Sequence, residues 1–379
     1  MRLIVKLLAG ITGGMLIGLY APEFFSRVFV TFKIIFGQFI GFIIPLIIVF
    51  FIASGISELG KQSGKMLGLT SGLAYSSTLL AGILAYVVAV TVVPLLTGPA
   101  GEHGEEGAGL EPLFELTIEP IVGVMTALIT AFVFGIGMTR VESPVLKQFF
   151  DQGKNIVELL IKRVIIPLLP LYIAGVFVDL AAEGSIFPTL RAFGIVLLLA
   201  VLTHWVWLLM LYTGAGTLTG RNPFRALKTM LPAYFTAIGT MSSAATIPVT
   251  LRQAKENKIK EHVADFAIPL SATIHLSGST ITLVLCSVAV MVLSSGLDLP
   301  TLGTMLPFIL MLGVIMIAAP GVPGGAVMAA LGLLSTMLGF DEAALGLMIA
   351  LYMAQDSFGT ACNVTGDGAL ALVVDKYSQ

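Results

Sequence analysis

The chain has 379 residues, of which 57% are hydrophobic and 11% are charged. A soluble globular domain carries about 25% charged residues, so this composition excludes an ordinary water-soluble protein and indicates a chain whose solvent is lipid. The formal net charge of -2 provides no basic footprint for nucleic acid. The lipid bilayer, and not nucleic acid, is therefore the expected surrounding.

Long apolar segments fill the first part of the chain and predict membrane-spanning helices, each of which needs about 20 apolar residues. They run over Leu3–Tyr20, Val28–Ile56, Met66–Leu96, Leu113–Met138, Ile156–Ala181 and Pro188–Leu218. Short connections with charges or turn residues separate them, and the glycine-rich acidic stretch Gly98–Gly109 is expected to be a solvated outer loop.

Basic residues predict how these spans are oriented, because cytoplasmic connections carry an excess of Lys and Arg. The second, fourth and sixth connections are rich in Lys and Arg, whereas the first, third and fifth are poor in them. Arg2 and Lys6 precede the first span, and Lys376 follows the last apolar segment. This pattern predicts a multi-pass protein of the cell (cytoplasmic) membrane with both termini in the cytoplasm.

After residue 220 the apolar segments become short and are interrupted by small and polar residues. Met230–Thr250 contains Pro248 and has basic residues on both sides, which predicts a re-entrant hairpin that enters from the cytoplasm and returns. Leu302–Leu338 is interrupted by two prolines and three glycines within Pro320–Gly325. Because its flanks are not basic, we expect a second hairpin that opens from outside and forms a mobile gate. A simple helix kink is the alternative.

Two further segments complete the C-terminal part. Ala264–Leu293 is a span with an interruption at His275–Ser279, and Ala343–Val374 is a polar span that crosses inward. Each hairpin is followed by one span, and the two units face opposite ways. Broken helices at matching positions of inverted repeats indicate a transport site near the membrane midplane. The predicted fold is an all-α polytopic membrane protein with eight transmembrane helices and two re-entrant hairpins.

The last span carries a polar stripe. Asp356, Thr360, Asn363 and Asp367 follow the spacing i, i+4, i+7 and i+11, so they share one face of the helix. Hydrogen bonding between helices would explain the Thr and the Asn. It does not explain two carboxylates without an intramembrane Lys or Arg partner, since ionisable groups in the membrane are costly and usually functional. A bound ammonium group or a metal cation would balance their charge.

Three other polar positions allow more than one interpretation. Ser242 and Ser243 sit at the turn of the first hairpin, where half-helix N-termini suit a substrate carboxylate; a serine cap without a ligand is the alternative. His275 lies in the broken span, and packing, protonation and cation coordination all remain open for it. His204 is expected at the membrane interface because two tryptophans lie near it.

Three stretches resemble the dicarboxylate/amino acid:cation symporter family, which includes the glutamate transporter homologues. They are Ser242–Thr250, Gly321–Gly324 and Asn363–Asp367, in the family's order, and the likeness in topology covers the whole chain. The resemblance implies a homotrimer of elevator-type transporters, with a static scaffold and a mobile transport domain in each protomer. It implies a scaffold of residues 1–65 and 113–187, and a transport domain of residues 66–112, including the outer loop, and 188–379.

The resemblance also implies the site residues. Asp356 falls where the family's amino acid transporters bind the substrate amino group, and Asp367 falls on a carboxylate that coordinates sodium. The implied substrate site consists of Ser242, Ser243, Leu276, Ser279, Val322, Gly325, Asp356, Gly359, Thr360 and Asn363. The implied sodium ligands, several of them through backbone carbonyls, are Ser271, Thr273, His275, Ala319, Asn363 and Asp367.

Two departures from the family pattern bear on specificity and coupling. Glutamate and aspartate carriers have Arg at the position of Gly359, and Gly cannot pair with a side-chain carboxylate. The family's Asn-Met-Asp-Gly-Thr run reads His275-Leu276-Ser277-Gly278-Ser279 in this chain. Without that Asn and Asp, either fewer sodium ions are coupled or a proton takes part.

The sequence therefore predicts a secondary symporter that imports a small neutral amino acid with sodium, similar to the family's serine/threonine carriers. A proton-coupled amino acid or dicarboxylate symporter that uses His275 is the alternative within the family. A channel-like pore is the alternative from another class. We do not expect an enzyme, because the sequence has no nucleophile–base pair and no metal-ligand spacing.

Overall fold

A computed structural model describes residues 2–61, 64–97, 110–141, 143–294, 297–317 and 319–377. In these ranges the regular structure is helical: α1 (Arg2–Tyr20), α2 (Glu23–Ile47), α3 (Ala53–Lys61), α4 (Lys65–Thr97), α5 (Val124–Arg140), α6 (Pro144–Leu160), α7 (Ile166–Ala182), α8 (Ile186–Thr219), α9 (Pro223–Thr240), α10 (Ser243–Glu256), α11 (Glu261–Ile274), α12 (Ser277–Leu293), α13 (Leu302–Met316), α14 (Gly325–Leu338) and α15 (Glu342–Tyr377). Short π-helical turns at Ile48–Ile52 and Ile161–Ile165 join α2 to α3 and α6 to α7. The predicted outer loop Gly98–Gly109 lies outside the described residues.

Six helical stretches in the described part of the chain are long and apolar enough to cross a membrane. They are Leu3–Tyr20, Glu23–Glu58, Lys65–Leu96, Pro144–Ala182, Ile186–Thr219 and Glu261–Leu293. An all-helical chain with several such stretches is a polytopic membrane protein, because a helix satisfies its own backbone hydrogen bonds in lipid. For the described residues, the all-α prediction is confirmed.

Glycines allow α1 to pack closely on α7. A Cβ on Gly18 would lie 2.6 Å from the Ala181 Cβ and 2.7 Å from the Val178 carbonyl oxygen. Gly14 and Gly10, one and two turns earlier, meet the α7 backbone in the same way. Small residues at this spacing are typical of membrane helices whose backbones touch. The helix α7 also packs on α2, which joins the N-terminal helices into one group.

The prediction of a span that begins at Leu113 is wrong, because the helix α5 begins only at Val124. Residues 110–123 are not helical and lie along α2. The Leu113 N–H donates to Thr31 Oγ1 at 2.8 Å, and the Ile118 N–H donates to Gln38 Oε1 at 2.9 Å. Pro120 has no N–H to donate and disfavours helical backbone in the residue before it. Two backbone donors of this segment are therefore satisfied by α2 side chains.

The fifth predicted span, by contrast, begins earlier than expected, because the helix starts at Pro144 and not at Ile156. Ser143 caps α6 by accepting a hydrogen bond from the Leu146 N–H at 3.4 Å, and Pro144 occupies the first helical position. From there the helix continues through α7. The first half of this helix has a charged face, on which Lys147 and Asp151 pair at 2.7 Å. Because such charges lower the local hydropathy, a prediction based on hydropathy places the start of the helix too late.

The C-terminal part brings three polar breaks together. The helices α9 and α10 turn at Met241 and Ser242, and α13 is followed by a Pro- and Gly-rich segment that leads into α14. Between α11 and α12 the chain leaves helical conformation at His275 and Leu276, inside the predicted interruption. The long helix α15 is continuous and packs on α8, α9, α11 and α12, while α4 lies along α12.

One ion pair ties the end of α15 to its neighbours. Arg221, which follows α8, donates to Asp375 Oδ2 at 3.2 Å, and Asp375 Oδ1 accepts from the Lys260 N–H at 3.2 Å. Arg221 also donates to the carbonyls of Asn257 and Lys258. These bonds hold the connection between α10 and α11 against the end of α15. This end of the helix lies beyond Asp367, the last residue of the polar stripe.

Candidate functional site

The turns of the two helix pairs meet each other. Met241 has a φ of 53°, which reverses the chain after α9, and Ser242 then caps α10 by accepting from the Ala245 N–H at 3.3 Å. In the second pair Gly324 has a φ of 75° directly before α14, a conformation that favours glycine. The Ser242 hydroxyl donates to the Gly321 carbonyl at 3.1 Å, so the two turns touch.

A small cavity of about 70 Å³ lies between these turns, the break after α11 and the polar face of α15. A water occupies about 30 Å³ in the liquid, so the cavity suits a small ligand. Its lining brings together ten residues that the sequence analysis assigns to substrate or sodium: Ser242, Ser243, Thr273, Leu276, Ser279, Ala319, Val322, Asp356, Thr360 and Asn363. Asp356 is the one charged residue in this described lining.

Asp356 is held by the second turn. Its side chain is 4% exposed, and its Oδ2 accepts a hydrogen bond from the Gly324 N–H at 2.8 Å. Gly324 is the residue before α14, so the carboxylate of α15 lies at the positive end of another helix. The N-terminus of a helix carries a partial positive charge that interacts favourably with a carboxylate. The arrangement presents a buried carboxyl group at the cavity wall.

Asn363 connects the polar stripe to the start of α12. Its Oδ1 accepts from the N–H groups of Gly278 at 2.8 Å and Ser279 at 3.2 Å, and its Nδ2 donates to the Ser279 hydroxyl at 2.9 Å. The free donors at the beginning of α12 are thereby satisfied from α15. A ligand at Asn363 would share an amide that already holds the broken helix in place.

Asp367 has a polar partner that the sequence analysis did not find. Its Oδ1 lies 2.9 Å from His275 Nδ1, and His275 Nε2 lies 2.8 Å from the Ser77 hydroxyl of α4. The side chains of His275 and Asp367 are both 0% exposed. Asp367 Oδ2 is buried and has no hydrogen-bond partner among the described residues. Ser77 lies within a polar run of α4, and that run is the signal that the sequence offers for it.

The other implied sodium ligands lie at the end of α11 and beside the second turn. The Ser271 carbonyl accepts the His275 N–H at 2.8 Å, and the Ser271 hydroxyl is buried without a partner among the described residues. Thr273 and Ala319 line the small cavity. The described residues include no group of three His, Cys, Asp or Glu side chains arranged for a metal. Oxygen atoms with one carboxylate suit a hard cation better than a transition metal.

Gly359 and Gly325 lie outside the described lining of the small cavity. A Cβ on Gly359 would face α12, 3.2 Å from Thr282 Oγ1, and a Cβ on Gly325 would collide with the backbone of Pro320. Behind Gly359, His204 Nε2 lies 3.0 Å from the Gly278 carbonyl oxygen and 3.1 Å from Thr282 Oγ1. His204 is 0% exposed, so protein encloses it on all sides, and its place at the membrane interface stays a prediction.

A larger cavity of about 760 Å³ adjoins the small one and shares Ser242, Ala244, Thr273 and residues 319–322 with it. Its opposite wall belongs to α3, α6 and the turns that extend them. The charged residues of its lining are Glu58, Lys154, Glu158, Lys162 and Asp265. Residues 319–322 of the second turn line both cavities, and Pro323 lines the larger one.

Comparisons with known proteins agree with the motifs of the C-terminal part. A family model described as the sodium:dicarboxylate symporter family matches residues 3–377. Excitatory amino acid transporter 1 of Ambystoma tigrinum is 29% identical over 265 residues, 68% of this chain and 48% of that protein. Excitatory amino acid transporter 3 of Mus musculus is 30% identical over 266 residues, 68% of this chain and 49% of that protein.

A third relative differs in the substrate that its name gives. Neutral amino acid transporter B(0) of Homo sapiens is 26% identical over 263 residues, 68% of this chain and 48% of that protein. The chain thus spans about half the length of the curated relatives that it matches.

Proposed function

Because the chain belongs to the sodium:dicarboxylate symporter family, we propose that it is a secondary active symporter that imports a small neutral amino acid together with sodium. The observation that carries this proposal is the lining of the small cavity between the two turns. Asp356 is its one charged residue among those described, and polar groups from three helical breaks surround it. A buried site with one carboxylate is suited to a ligand with an ammonium group.

The rest of the amino acid has matching partners. Ser242 and Ser243 stand at the beginning of α10, where free N–H groups and the helix dipole favour the substrate carboxylate. The described lining contains no Lys or Arg to pair with a second carboxylate. A glutamate or aspartate would leave its side-chain charge buried and unpaired, at a high cost in free energy. The small volume, about 70 Å³, favours a small side chain.

Sodium is the proposed coupling ion, and Asp367 is its proposed ligand. The free Oδ2 of Asp367 supports this assignment, because a fully buried carboxylate oxygen without a partner is costly unless a cation binds it. Carbonyl oxygens of Ser271, His275 and Asn363 would complete that site, and Thr273 and Ala319 belong to a second one. Hard monovalent and divalent cations prefer oxygen ligands of this kind.

The proposed architecture has eight transmembrane helices and two re-entrant hairpins, α9–α10 and α13–α14. Residues 1–65 and 113–187 form the scaffold, and residues 66–112 and 188–379 form a transport domain that moves like an elevator in a homotrimer. Packing of α1 and α2 on α7, and of α4 and α15 on α12, supports this division. Both termini lie in the cytoplasm by the distribution of basic residues.

The larger cavity supports an inward-facing arrangement. Lys154 and Lys162 line it, and the connections near them are the basic ones that the positive-inside rule assigns to the cytoplasm. In that orientation the segment Ala319–Pro323 stands between the cytoplasmic cavity and the substrate. We propose that this second hairpin tip is the gate through which substrate is released.

Reconstitution tests the proposed function directly. Purified protein in liposomes is assayed for uptake of a labelled amino acid panel, with sodium and pH gradients imposed independently. We expect saturable uptake of serine, alanine or threonine that requires inward sodium, with weak competition by aspartate and glutamate. Empty liposomes and gradients collapsed with ionophores are the controls.

Three results would overturn parts of the proposal. Uptake driven by a proton gradient without sodium would replace the coupling ion. Preferred uptake of aspartate or glutamate would replace the substrate class. Flux that does not saturate and shows no competition between stereoisomers would indicate a pore, because a carrier binds its substrate in each cycle.

A further inference from the structure

We propose that Ser77 of α4 is a positioning residue for the cation site at Asp367 and that it acts through the side chain of His275. The inference rests on the proposed function, since it takes Asp367 as a cation ligand. It assigns a role in ion binding to α4, a helix to which the sequence motifs assign no ligand. It also assigns a role to the His275 side chain, whereas the family resemblance implies only its backbone carbonyl.

The three side chains form one continuous hydrogen-bonded chain. Ser77 Oγ lies 2.8 Å from His275 Nε2, and His275 Nδ1 lies 2.9 Å from Asp367 Oδ1. Ser77 is 5% exposed and His275 is 1% exposed, so water does not compete for these bonds. The chain begins on α4, passes through the break between α11 and α12, and ends on α15.

The chemistry of the carboxylate sets the direction of the bonds. An ionised Asp367 only accepts hydrogen bonds, so Nδ1 of His275 carries the hydrogen that it receives. In a neutral imidazole the other nitrogen is then an acceptor. Ser77 therefore donates its hydroxyl hydrogen to Nε2, and this bond selects the tautomer in which Nδ1 faces Asp367. Removing the Ser77 donor removes the group that selects that tautomer.

Packing holds the ring in a single plane. A Cβ on Gly366 would lie 2.8 Å from His275 Cε1, so the imidazole lies directly against the backbone of α15. With its Cε1 edge against that backbone and both nitrogens bonded, the ring cannot turn without breaking a bond. The Asp367 carboxylate is thereby fixed with Oδ1 on the imidazole and Oδ2 free.

Fixing the carboxylate in this way prepares it for a cation. Partners behind a metal ligand orient it, and their loss lowers metal affinity without removing the ligand itself. Ser77 stands at the far end of such a chain. Its removal should let the imidazole and the carboxylate reorient, so that the cation meets a less well-ordered oxygen.

The experiment compares Ser77→Ala with Ser77→Thr and with Thr78→Val. Thr is the conservative variant because it keeps the hydroxyl. Thr78 is the matched control, since its hydroxyl is buried in the same helix but bonds the Ala74 carbonyl of that helix at 2.9 Å. Two quantities are measured on each purified protein: the sodium concentration for half-maximal uptake, and the substrate KM at saturating sodium. The sodium dependence of thermal stability without substrate gives a readout that does not require transport.

We expect Ser77→Ala to raise the half-maximal sodium concentration about fivefold, the size of one neutral hydrogen bond, in both uptake and thermal stability. Substrate KM at saturating sodium should not change. Ser77→Thr should restore most of the sodium affinity, and Thr78→Val should match the parent protein. If Ser77→Ala does not fold, Ser77→Cys takes its place, with a smaller shift in the same direction because a thiol is a weak donor.

Several results would overturn the inference. An unchanged sodium requirement in Ser77→Ala contradicts it while leaving the proposed function intact. An equal loss in Ser77→Ala and Thr78→Val, or a rise in substrate KM at saturating sodium, would indicate a role in folding alone. Sodium-independent uptake by the parent protein would overturn the proposed function and the inference together.

Discussion

Two carboxylates on one helix face have different surroundings, and this difference is the basis for assigning them different ligands. Asp356 reaches the N–H of Gly324 at the second turn, whereas Asp367 reaches His275 at the helix break. The first lines the small cavity and the second does not belong to its lining. A change of charge at each position should therefore have a separate effect on transport.

Asp356→Asn should reduce substrate affinity by more than about tenfold, the size of a lost charge-assisted bond to an ammonium. The amide can still accept from the Gly324 N–H, so folding should be retained. Substrate-dependent uptake and substrate-induced thermal stabilisation measure the effect. Asp341→Asn is the control, because Asp341 caps the start of α15 by accepting from the Ala344 N–H at 2.8 Å and Asn caps equally well. Parent-like uptake by Asp356→Asn contradicts the assignment.

Asp367→Asn should raise the sodium concentration for half-maximal uptake by about tenfold or more, because an amide gives a hard cation less charge than a carboxylate does. Substrate KM at saturating sodium should change much less. Asp375→Asn, the same substitution on the same helix beside Arg221, should leave the sodium requirement unchanged. Superimposable sodium titrations of the parent and Asp367→Asn would exclude Asp367 as a ligand.

At the scale of the elements, the close contact between α12 and α15 depends on glycines, which have no side chain to hold the two helices apart. A Cβ on Gly278 would lie 2.5 Å from the Cys362 Cβ and would also collide with the Gly359 carbonyl. The N–H of the same glycine donates to Asn363. This glycine pair therefore determines how closely the broken helix approaches the polar stripe.

Gly278→Ala should lower the free energy of unfolding by about 1–3 kcal/mol through overpacking, and it should weaken substrate binding because Asn363 moves with α12. Thermal unfolding of the purified protein measures the first effect. Gly239→Ala is the matched control, since a Cβ there meets nothing within 4 Å. Equal melting temperatures for the two variants would show that α12 and α15 can separate at little cost.

The sequence predicts an element well where local chemistry decides it. Proline and glycine marked the second turn at Pro320–Gly325, and polar residues marked the break at His275. It fails where a partner far along the chain decides. Residues 113–123 begin a stretch that the sequence predicts as a span, but Thr31 and Gln38 of α2 accept two of their N–H groups. The spacing on α15 indicated that Asp367 faces inward. It could not show that His275 is its hydrogen-bond partner, because the two residues are 92 positions apart in the sequence.

At the scale of the whole molecule, the sidedness of the larger cavity is open to chemical labelling. Gly321→Cys places a thiol in its exposed lining, where a Cβ meets nothing closer than the Ala244 Cβ at 3.9 Å. We expect a membrane-impermeant maleimide to label it from the cytoplasmic side and substrate to slow the labelling. The natural cysteines Cys286 and Cys362 are both buried, so they should react little.

Gly123→Cys is the control for that measurement. Gly123 is exposed before α5, a Cβ there meets nothing within 4 Å, and the positive-inside rule assigns it to the outer side. It should be labelled from outside only. If Gly321→Cys reacts from outside while Gly123→Cys does the same, the arrangement described above faces outward.

The touching turns have a kinetic consequence. The tip at Gly321–Gly324 is tied down by the Ser242 hydroxyl and by Asp356, through one neutral bond of about 1 kcal/mol and one bond to a charge of about 2 kcal/mol. Their sum corresponds to a lifted tip in at most about one molecule in a hundred. Lid and loop openings of this kind occur in microseconds to milliseconds. In the proposed elevator mechanism, exchange of ligand at the tip should therefore be faster than displacement of the whole transport domain, and that displacement should set the turnover time.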